Sequence, residues 1–415
     1  MLTDKGEGIM AAKQRKQNTT AGPAGRNTAG ARAAAKRKNR RKLIIFVFEV
    51  VIILIMLVAL WAASRISTQG PSITKIEFEE LDIPKEIQEA KEQGESTMLG
   101  YRNIALFGVD ATNEKEVEKN SRSDTIMIAS INQDTGDIKL VSVYRDTYLN
   151  IGKSDSEEND TYTKCNAAYA KGGPARAIRM LNTNLDMDIE DFVTIGYNSL
   201  IDVVNGLGGV YINIKQNEIS YLNDYQKSIV AQWKYGVKGS GDKGEITAED
   251  LKVLKSTDYT PVKEAGFQLL DGLQAAAYCR IRYVGNDYAR TERQRTVLKA
   301  IQEQALNADP NTLLDLFNKV VGQVYTSLTK EEMMALLGDL TKYKIVDESG
   351  FPVNGQFTTG NIGASGSCIV PQDLESNVVW LHQFLFDDED YQVTEGVRER
   401  GEMIESRTAK YLNEE

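Results

Sequence analysis

Residues 43–63 are apolar at every position except Glu49, and no other feature limits the chain's architecture as strongly. As a helix, 21 such residues rise roughly 31 Å, close to the ~30 Å hydrocarbon layer of a bilayer. A cleaved secretory signal has a shorter apolar core, about 7–15 residues, near the chain start. This run begins only at residue 43 and is read as one uncleaved transmembrane helix, a signal anchor. Glu49 lies near the start of the span, where the membrane interface tolerates it. Flanking charge orients the helix. Residues 1–42 hold twelve Lys and Arg against Asp4 and Glu7, a net +10, whereas the rest of the chain holds 37 basic and 57 acidic side chains, a net −20. Lys36-Arg-Lys-Asn-Arg-Arg-Lys42 abuts the span, and only Arg65 closely follows it. Lys and Arg collect on cytoplasmic flanks, so the N-terminus is expected inside the cell membrane and everything after residue 64 outside. The Ala, Gly, Thr and Asn filler of the basic tail offers no aromatic rings for base stacking, so nucleic acid is not an expected partner.

The residue inventory excludes several chemistries. His382 is the single histidine, and Cys165, Cys279 and Cys368 are the only cysteines. A His-rich zinc site, a two-imidazole mechanism and a Cys-x-x-Cys centre are therefore ruled out. Three exported cysteines leave at least one unpaired, and Cys279, in an apolar stretch, reads as a buried thiol. His382 sits among Trp380, Leu381, Phe384 and Leu385 and reads as structural. Acid–base or phosphate chemistry falls to carboxylates, Arg, Lys and Tyr.

The exported part alternates strand and helix signals. Residues 64–98 read as a stalk with a short strand at 73–78 and a polar helical stretch. Asn103-Ile-Ala-Leu-Phe-Gly-Val-Asp110 is a doubly buried strand ending in an acid. Strands at 124–131 and 138–145 flank Asn132-Gln-Asp-Thr-Gly136, which is hairpin turn chemistry. With Ile131 opposite Ile138, Asp124 falls opposite Arg145 at one rim, and Asp110 reaches that rim if its strand runs parallel to the third. Pro174 opens a helix through 185; strands are expected at 191–197 and 208–214, with a short helix at 199–204 between them. Residues 215–263 read as polar, irregular surface elaboration. Helices are expected at 270–278, 289–306, as a pair within 310–343, and last at 374–386, with 279–284 extended. The pattern predicts an α/β fold with a mixed central sheet flanked by helices.

Two constellations could carry chemistry. Arg280, Arg282, Arg290, Arg293 and Arg295 fall within sixteen residues of an otherwise acidic region. In an extended segment Arg280 and Arg282 share a face; on the next helix Arg290 and Gln294 are i,i+4 neighbours. Guanidinium groups bind phosphate oxygens bidentately and keep their charge. The competing reading is a solvated face with ion pairs, for example to Glu292, and Asp287 could simply cap the helix that follows. The second set is Asp110, Arg122, Asp124, Arg145 and Asp146, whose acids could hold Mg²⁺ beside a phosphate or merely cap strand ends. Gly152-Lys153-Ser154 resembles the end of a P-loop, but Thr147 stands where its first glycine belongs.

These motifs, in this order, resemble the LytR-CpsA-Psr family of bacterial cell-envelope proteins: a basic tail and single span, the run ending at Asp110, Arg122-Ser-Asp124-Thr, Ser142-Val-Tyr-Arg145-Asp146, and Tyr278-Cys-Arg280-Ile-Arg282-Tyr with Asp287-Tyr-Ala-Arg290-Thr-Glu-Arg293-Gln294. The likeness runs from about Leu99 to Leu306 and is looser beyond. It implies an α-β-α sandwich and a phosphotransferase that moves an anionic glycopolymer, teichoic acid or capsule, from a polyprenyl pyrophosphate carrier to peptidoglycan. It assigns the pyrophosphate to Arg145, Arg280, Arg282 and Arg290, magnesium to Asp110 and Asp124, accessory polar roles to Arg122 and Gln294, and the polyprenyl chain to an apolar tunnel. Asp146, Asp287 and Arg293 remain further candidates. The expected organisation is a disordered basic cytoplasmic tail (1–42), the span (43–63), a stalk (64–98), an extracellular catalytic domain (99–390) and a C-terminal tail (391–415). A hydrolase acting on the same carrier, or a non-catalytic envelope regulator, would carry the same anchor.

Overall fold

The computed structural model describes residues 72–109, 121–153, 159–238, 240, 246–285 and 287–412. They begin with strand β1 (Ser72–Ile73), helix α1 (Lys85–Gln93) and β2 (Tyr101–Val109), then β3 (Ser123–Asn132) and β4 (Asp137–Val143). β5 (Tyr148–Asn150), β6 (Tyr162–Lys164), α2 (Ala167–Leu185), β7 (Asp191–Gly196), α3 (Tyr197–Gly206), β8 (Val210–Ile214) and α4 (Ile219–Tyr235) follow. Next come β9 (Gly266–Leu270), α5 (Gly272–Arg280), α6 (Asp287–Asn307), α7 (Pro310–Val320), β10 (Val324–Thr326) and α8 (Lys330–Gly338). The chain closes with β11 (Lys344–Phe351), β12 (Phe357–Asn361), β13 (Ser367–Pro371), α9 (Leu374–Phe386) and α10 (Glu395–Leu412).

Seven strands form the central sheet in the order β1-β10-β7-β2-β3-β4-β11. β2 is apolar on both faces because it is interior: it pairs antiparallel with β3 and parallel with β7. The β3–β4 hairpin has the expected register, with Ile131 opposite Ile138. Its turn is fixed by Asn132 Oδ1, which accepts the Asp134 and Thr135 N–H groups. The parallel β2–β7 pairing needs a crossover, and α2 supplies it. Gly172 and Gly173 break α2, Gly173 at φ +65°, and Pro174 restarts it.

Two apolar clusters lie on opposite sides of the sheet. Phe107, Ile126, Ile128, Val141 and Phe192 pack with Ile178 and Leu181 of α2, Val378 and Leu381 of α9, and Ile404 of α10. A separate cluster joins Val204, Leu222, Ile229, Ala275–Ala277, Val297 and Ala300, from α3, α4, α5 and α6.

Several sequence expectations need correction. The strand at 73–78 shortens to Ser72–Ile73, followed by a 3₁₀ turn at Phe78–Glu80. Residues 215–263 are not irregular: α4 lies among them and buries Leu222, Ile229, Val230 and Ala231. The stretch 279–284 is not extended at its start. The Asp271/Gln274 capping box and the alanine run carry α5 through Arg280. The helix at 374–386 is not the last, because α10 follows and packs on α9 and α2. The expected span at 43–63 and Asp110 lie outside the described residues; among those residues no helix is long and apolar enough to cross a membrane.

Candidate active site

At the rim where β3 begins and β4 ends, Arg145 Nη1 donates to Asp124 Oδ1, as the hairpin register requires. Arg145 Nε lies 3.6 Å from Asp146 Oδ2, and Lys164 Nζ lies 3.0 Å from Asp146 Oδ1. Arg290, buried in the first turn of α6, reaches over from the other side: its Nη2 donates to the Asp124 carbonyl at 3.2 Å. Burial alone would raise the Asp124 pKa, but Arg145, then Arg290 and Arg280, outweigh it and hold the carboxyl below its usual range. Asp124 is therefore a fixed anion and a poor proton acceptor at neutral pH.

Arg280 arrives on the last turn of α5. Its guanidinium sits 5.2 Å from the Tyr197 ring centroid and 6.0 Å from that of Tyr225, and its Nη1 is 3.5 Å from Gln232 Oε1. Aromatic faces on two helices thus help to position this cation. Arg282 lies in the exposed loop after the helix. Burial, with Tyr283, holds the Tyr225 pKa above its ordinary value against the opposing charges of Arg282, Arg280 and Arg290.

Arg293 is placed elsewhere. Its guanidinium bonds Glu218 at 2.8 Å and the carbonyls of Ile281 and Val284 at 3.0 and 2.7 Å. This buried pair shapes the loop that carries Arg282. Arg295 donates to Ser142 Oγ at 2.8 Å and faces Glu348. Arg122 is exposed one residue ahead of β3. Asp287 is the first residue of α6, and its side chain, like Asp110, lies outside the described part. Sequence reasoning missed Tyr197, Tyr225 and Gln232. The available signal was the helical spacing of Leu222, Tyr225, Ile229 and Trp233 within the polar insertion.

Next to this rim lies a cavity of about 240 Å³. Its floor is the sheet face bearing Leu106, Met127, Val193 and Ile195, and its roof includes Leu200, Cys279, Val297 and Leu298. Gly108 keeps the floor low, since a Cβ there would meet Thr125 at 2.9 Å. Burial pushes the Cys279 thiol up to about 12, so it serves as apolar lining. Gln294 lines the cavity one turn beyond Arg290, and its buried Oε1 has no hydrogen-bond partner among the described residues. The cavity reaches the rim through Thr125, Cys279 and Gln294, which adjoin Asp124, Arg280 and Arg290 in sequence or along the helix.

For a metal, Asp124 offers an ionised hard-oxygen ligand of the kind Mg²⁺ combines with phosphate oxygens. No group of three or more His, Cys, Asp and Glu that could hold an ion occurs among the described residues. Asp124, bonded to Arg145, could thus give such an ion one carboxylate ligand, and among the described residues no carboxylate cage surrounds it.

Relatives of the chain have been named for transfer chemistry. The polyisoprenyl-teichoic acid–peptidoglycan teichoic acid transferase TagU of Enterococcus faecalis is 28% identical over 243 residues, 57% of this chain and 65% of that protein. The chain thus spans just under two thirds of that relative. TagU of Bacillus subtilis is 28% identical over 264 residues, 62% of this chain and 71% of that protein. Among solved structures, a Streptococcus agalactiae protein aligns with a TM-score of 0.52 at 21% identity, covering 74% of this chain and 92% of that one. B. subtilis TagV aligns at 0.50 and 22%, covering 71% and 98%. These two share the mixed-sheet fold. The LytR_cpsA_psr family is matched over residues 74–369, well over half of the chain, and the protein belongs to that family.

Proposed function

We propose that this protein transfers an anionic glycopolymer, of teichoic acid or capsule type, from a polyprenyl pyrophosphate carrier to peptidoglycan. One observation carries the reading: an apolar cavity opens onto a rim that gathers Arg145, Arg280 and Arg290 around Asp124. A lipid pyrophosphate has this same division, an apolar tail joined to a polyanionic head. The apolar side of this arrangement is a space of about 240 Å³. A fold that keeps it beside a cation cluster is suited to a ligand that fills both.

In the proposed step an acceptor hydroxyl oxygen forms a bond to the phosphorus nearer the sugar. The bridging P–O bond breaks, its electron pair leaves with polyprenyl phosphate, and the hydroxyl proton is released to solvent. The product is a phosphodiester. Arg145, Arg280, Arg282 and Arg290 act by holding the pyrophosphate and stabilising the charge that grows on the leaving oxygen. Arg122 and Gln294 are accessory polar groups at the edges of this grip. Asp124, held ionised, has an electrostatic and not a proton-accepting role. Magnesium would be held by Asp124 with Asp110 and would neutralise phosphate charge. An anchor at 43–63 would keep the domain outside the cell and beside a carrier embedded in lipid.

The test is product analysis with the full chain in detergent micelles and a lipid-linked short glycan. The expected product is glycan joined to peptidoglycan, formed only when acceptor is present. Free glycan phosphate at the same rate with and without acceptor would make the protein a hydrolase. No turnover of the carrier under any condition would leave it a binding protein.

A further inference from the structure

A second hollow, of about 590 Å³, lies on another side of the same rim and shares no lining residue with the apolar cavity. It is bounded by the start of α6 and by the β12–β13 ribbon. Asp146 and Tyr288 form its inner wall. Asp146 lies 3.6 Å from the Arg145 guanidinium, and Tyr288 sits two residues before Arg290. The hollow and the apolar cavity therefore approach the arginine cluster from two directions.

Its lining is chemically distinct. Tyr288 and Phe357 are half-buried with ring centroids 4.9 Å apart, and both pack on Tyr144, at 4.8 and 6.2 Å. Tyr144 can lie there because Gly350 has no Cβ, which would overlap its ring. Thr358, Thr359 and Ser367 add hydroxyls, and Asp146 is the one charged lining residue. Aromatic faces beside hydroxyls and a carboxylate suit sugar rings, which offer C–H faces and hydroxyl donors. The Asp146 carboxylate is shared with Lys164 at 3.0 Å and Arg145 at 3.6 Å, which leaves lone pairs for a sugar hydroxyl but no uncompensated charge. The ribbon is fixed to the rim: the Ile369 N–H donates to the Asp146 carbonyl at 2.9 Å, and Thr147 and Ile369 form a parallel bridge. The site is thus held in a set position relative to Arg145.

We propose that this cleft seats the acceptor, a saccharide chain of peptidoglycan, with a sugar ring on Tyr288 and Phe357 and its hydroxyls on Asp146 and Thr358. The proposal rests on the transferase reading above and adds where the attacking hydroxyl comes from. The donor phosphate is held by the arginines, its lipid lies in the apolar cavity, and the acceptor enters through the second hollow.

The experiment measures transfer by the full chain from a lipid pyrophosphate-linked glycan to soluble peptidoglycan oligosaccharide without stem peptide. Thr359→Trp and Ser367→Trp fill the cleft from exposed positions and leave the core intact. Tyr288→Ala and Phe357→Ala remove the platform. Acceptor KM should rise at least tenfold in both Trp variants and about three- to tenfold in the Ala variants, the range of a lost aromatic contact. Donor KM should stay within twofold of wild type. Unchanged acceptor KM in both Trp variants overturns the proposal, as does a rise confined to donor KM, which would give the cleft to the donor polymer. Competition by free stem peptide and not by the saccharide also overturns it. Absence of transfer by the wild-type chain defeats the transferase reading itself, a result distinct from all of these.

Discussion

Replacing Arg293 by Ala should unfold the loop that carries Arg282 and weaken the whole α4–α5–α6 side of the domain. Arg293 and Glu218 are 6% and 1% exposed, and their 2.8 Å ion pair ties the entry of α4 to α6. Removing one partner of a buried pair typically costs about 3–5 kcal/mol, mostly because the remaining charge is stranded. Here Glu218 Oε2 also accepts the Lys215 N–H at 2.9 Å, which softens that penalty. The carbonyls of Ile281 and Val284 lose their donors as well. We therefore expect about 3 kcal/mol, read as a lowered denaturant midpoint by tryptophan fluorescence, to which Trp233 of α4 contributes. Transfer should fall too, although Arg293 is not assigned to the pyrophosphate. The pair Arg293→Met with Glu218→Leu strands no charge and should recover part of that loss, the bonds to Lys215, Ile281 and Val284 staying broken. An Arg293→Ala protein as stable as wild type, or a double variant no better than the single one, would refute this reasoning.

Two further outcomes follow from buried and rim charges. His382 is fully buried, stacked 3.6 Å from Tyr391 and bonded to the Leu185 carbonyl, with Asp388 the nearby acid; burial pulls its pKa from 6.5 down to about 4. The unfolded chain then binds the extra proton between those values, so stability falls as pH drops through that window, by roughly 3 kcal/mol in all. His382→Phe should flatten that stretch of the stability–pH curve, and parallel curves for the two proteins would refute it. Chelation should abolish transfer, with Mg²⁺ restoring it, and Asp124→Asn should act like chelator; full turnover in excess chelator would show that the arginines suffice.

Much of the site was legible before the fold because it depends on local periodicity. The β3–β4 register follows from apolar alternation and one turn, and it brought Asp124 to Arg145. The helix expected to open at Pro174 begins instead at Ala167, and Pro174 only restarts it after the break at Gly172 and Gly173. The Arg280/Arg282 pair was misjudged because alternation between polar and apolar residues at 280–283 imitates a strand, while the upstream capping box and three alanines extend a helix. The insertion containing α4 resembles surface because its apolar stripe is diluted by Asn, Lys and Gln, and its burial depends on α5, which is distant in sequence. Arg293 looked like its neighbours in sequence; only the approach of Glu218, 75 residues away, separates it from the phosphate-facing set. The β12–β13 ribbon carries five residues per strand and takes its place from a bridge to Thr147, which no local pattern announces.

Whether the arginine cluster grips a carrier pyrophosphate is decided at Arg282. Its side chain is exposed, so its loss costs the fold little and a change in rate reports on chemistry. The measurement is transfer of a lipid pyrophosphate-linked glycan to peptidoglycan by full-chain wild type and Arg282→Ala, with melting temperatures recorded for both. Equal melting is expected, with a rate lowered about 10²–10³-fold, the usual cost of removing one donor aimed at developing charge. Arg282→Lys, which keeps charge but not the planar fork, should remain severely impaired. Transfer at the wild-type rate by Arg282→Ala would contradict the claim.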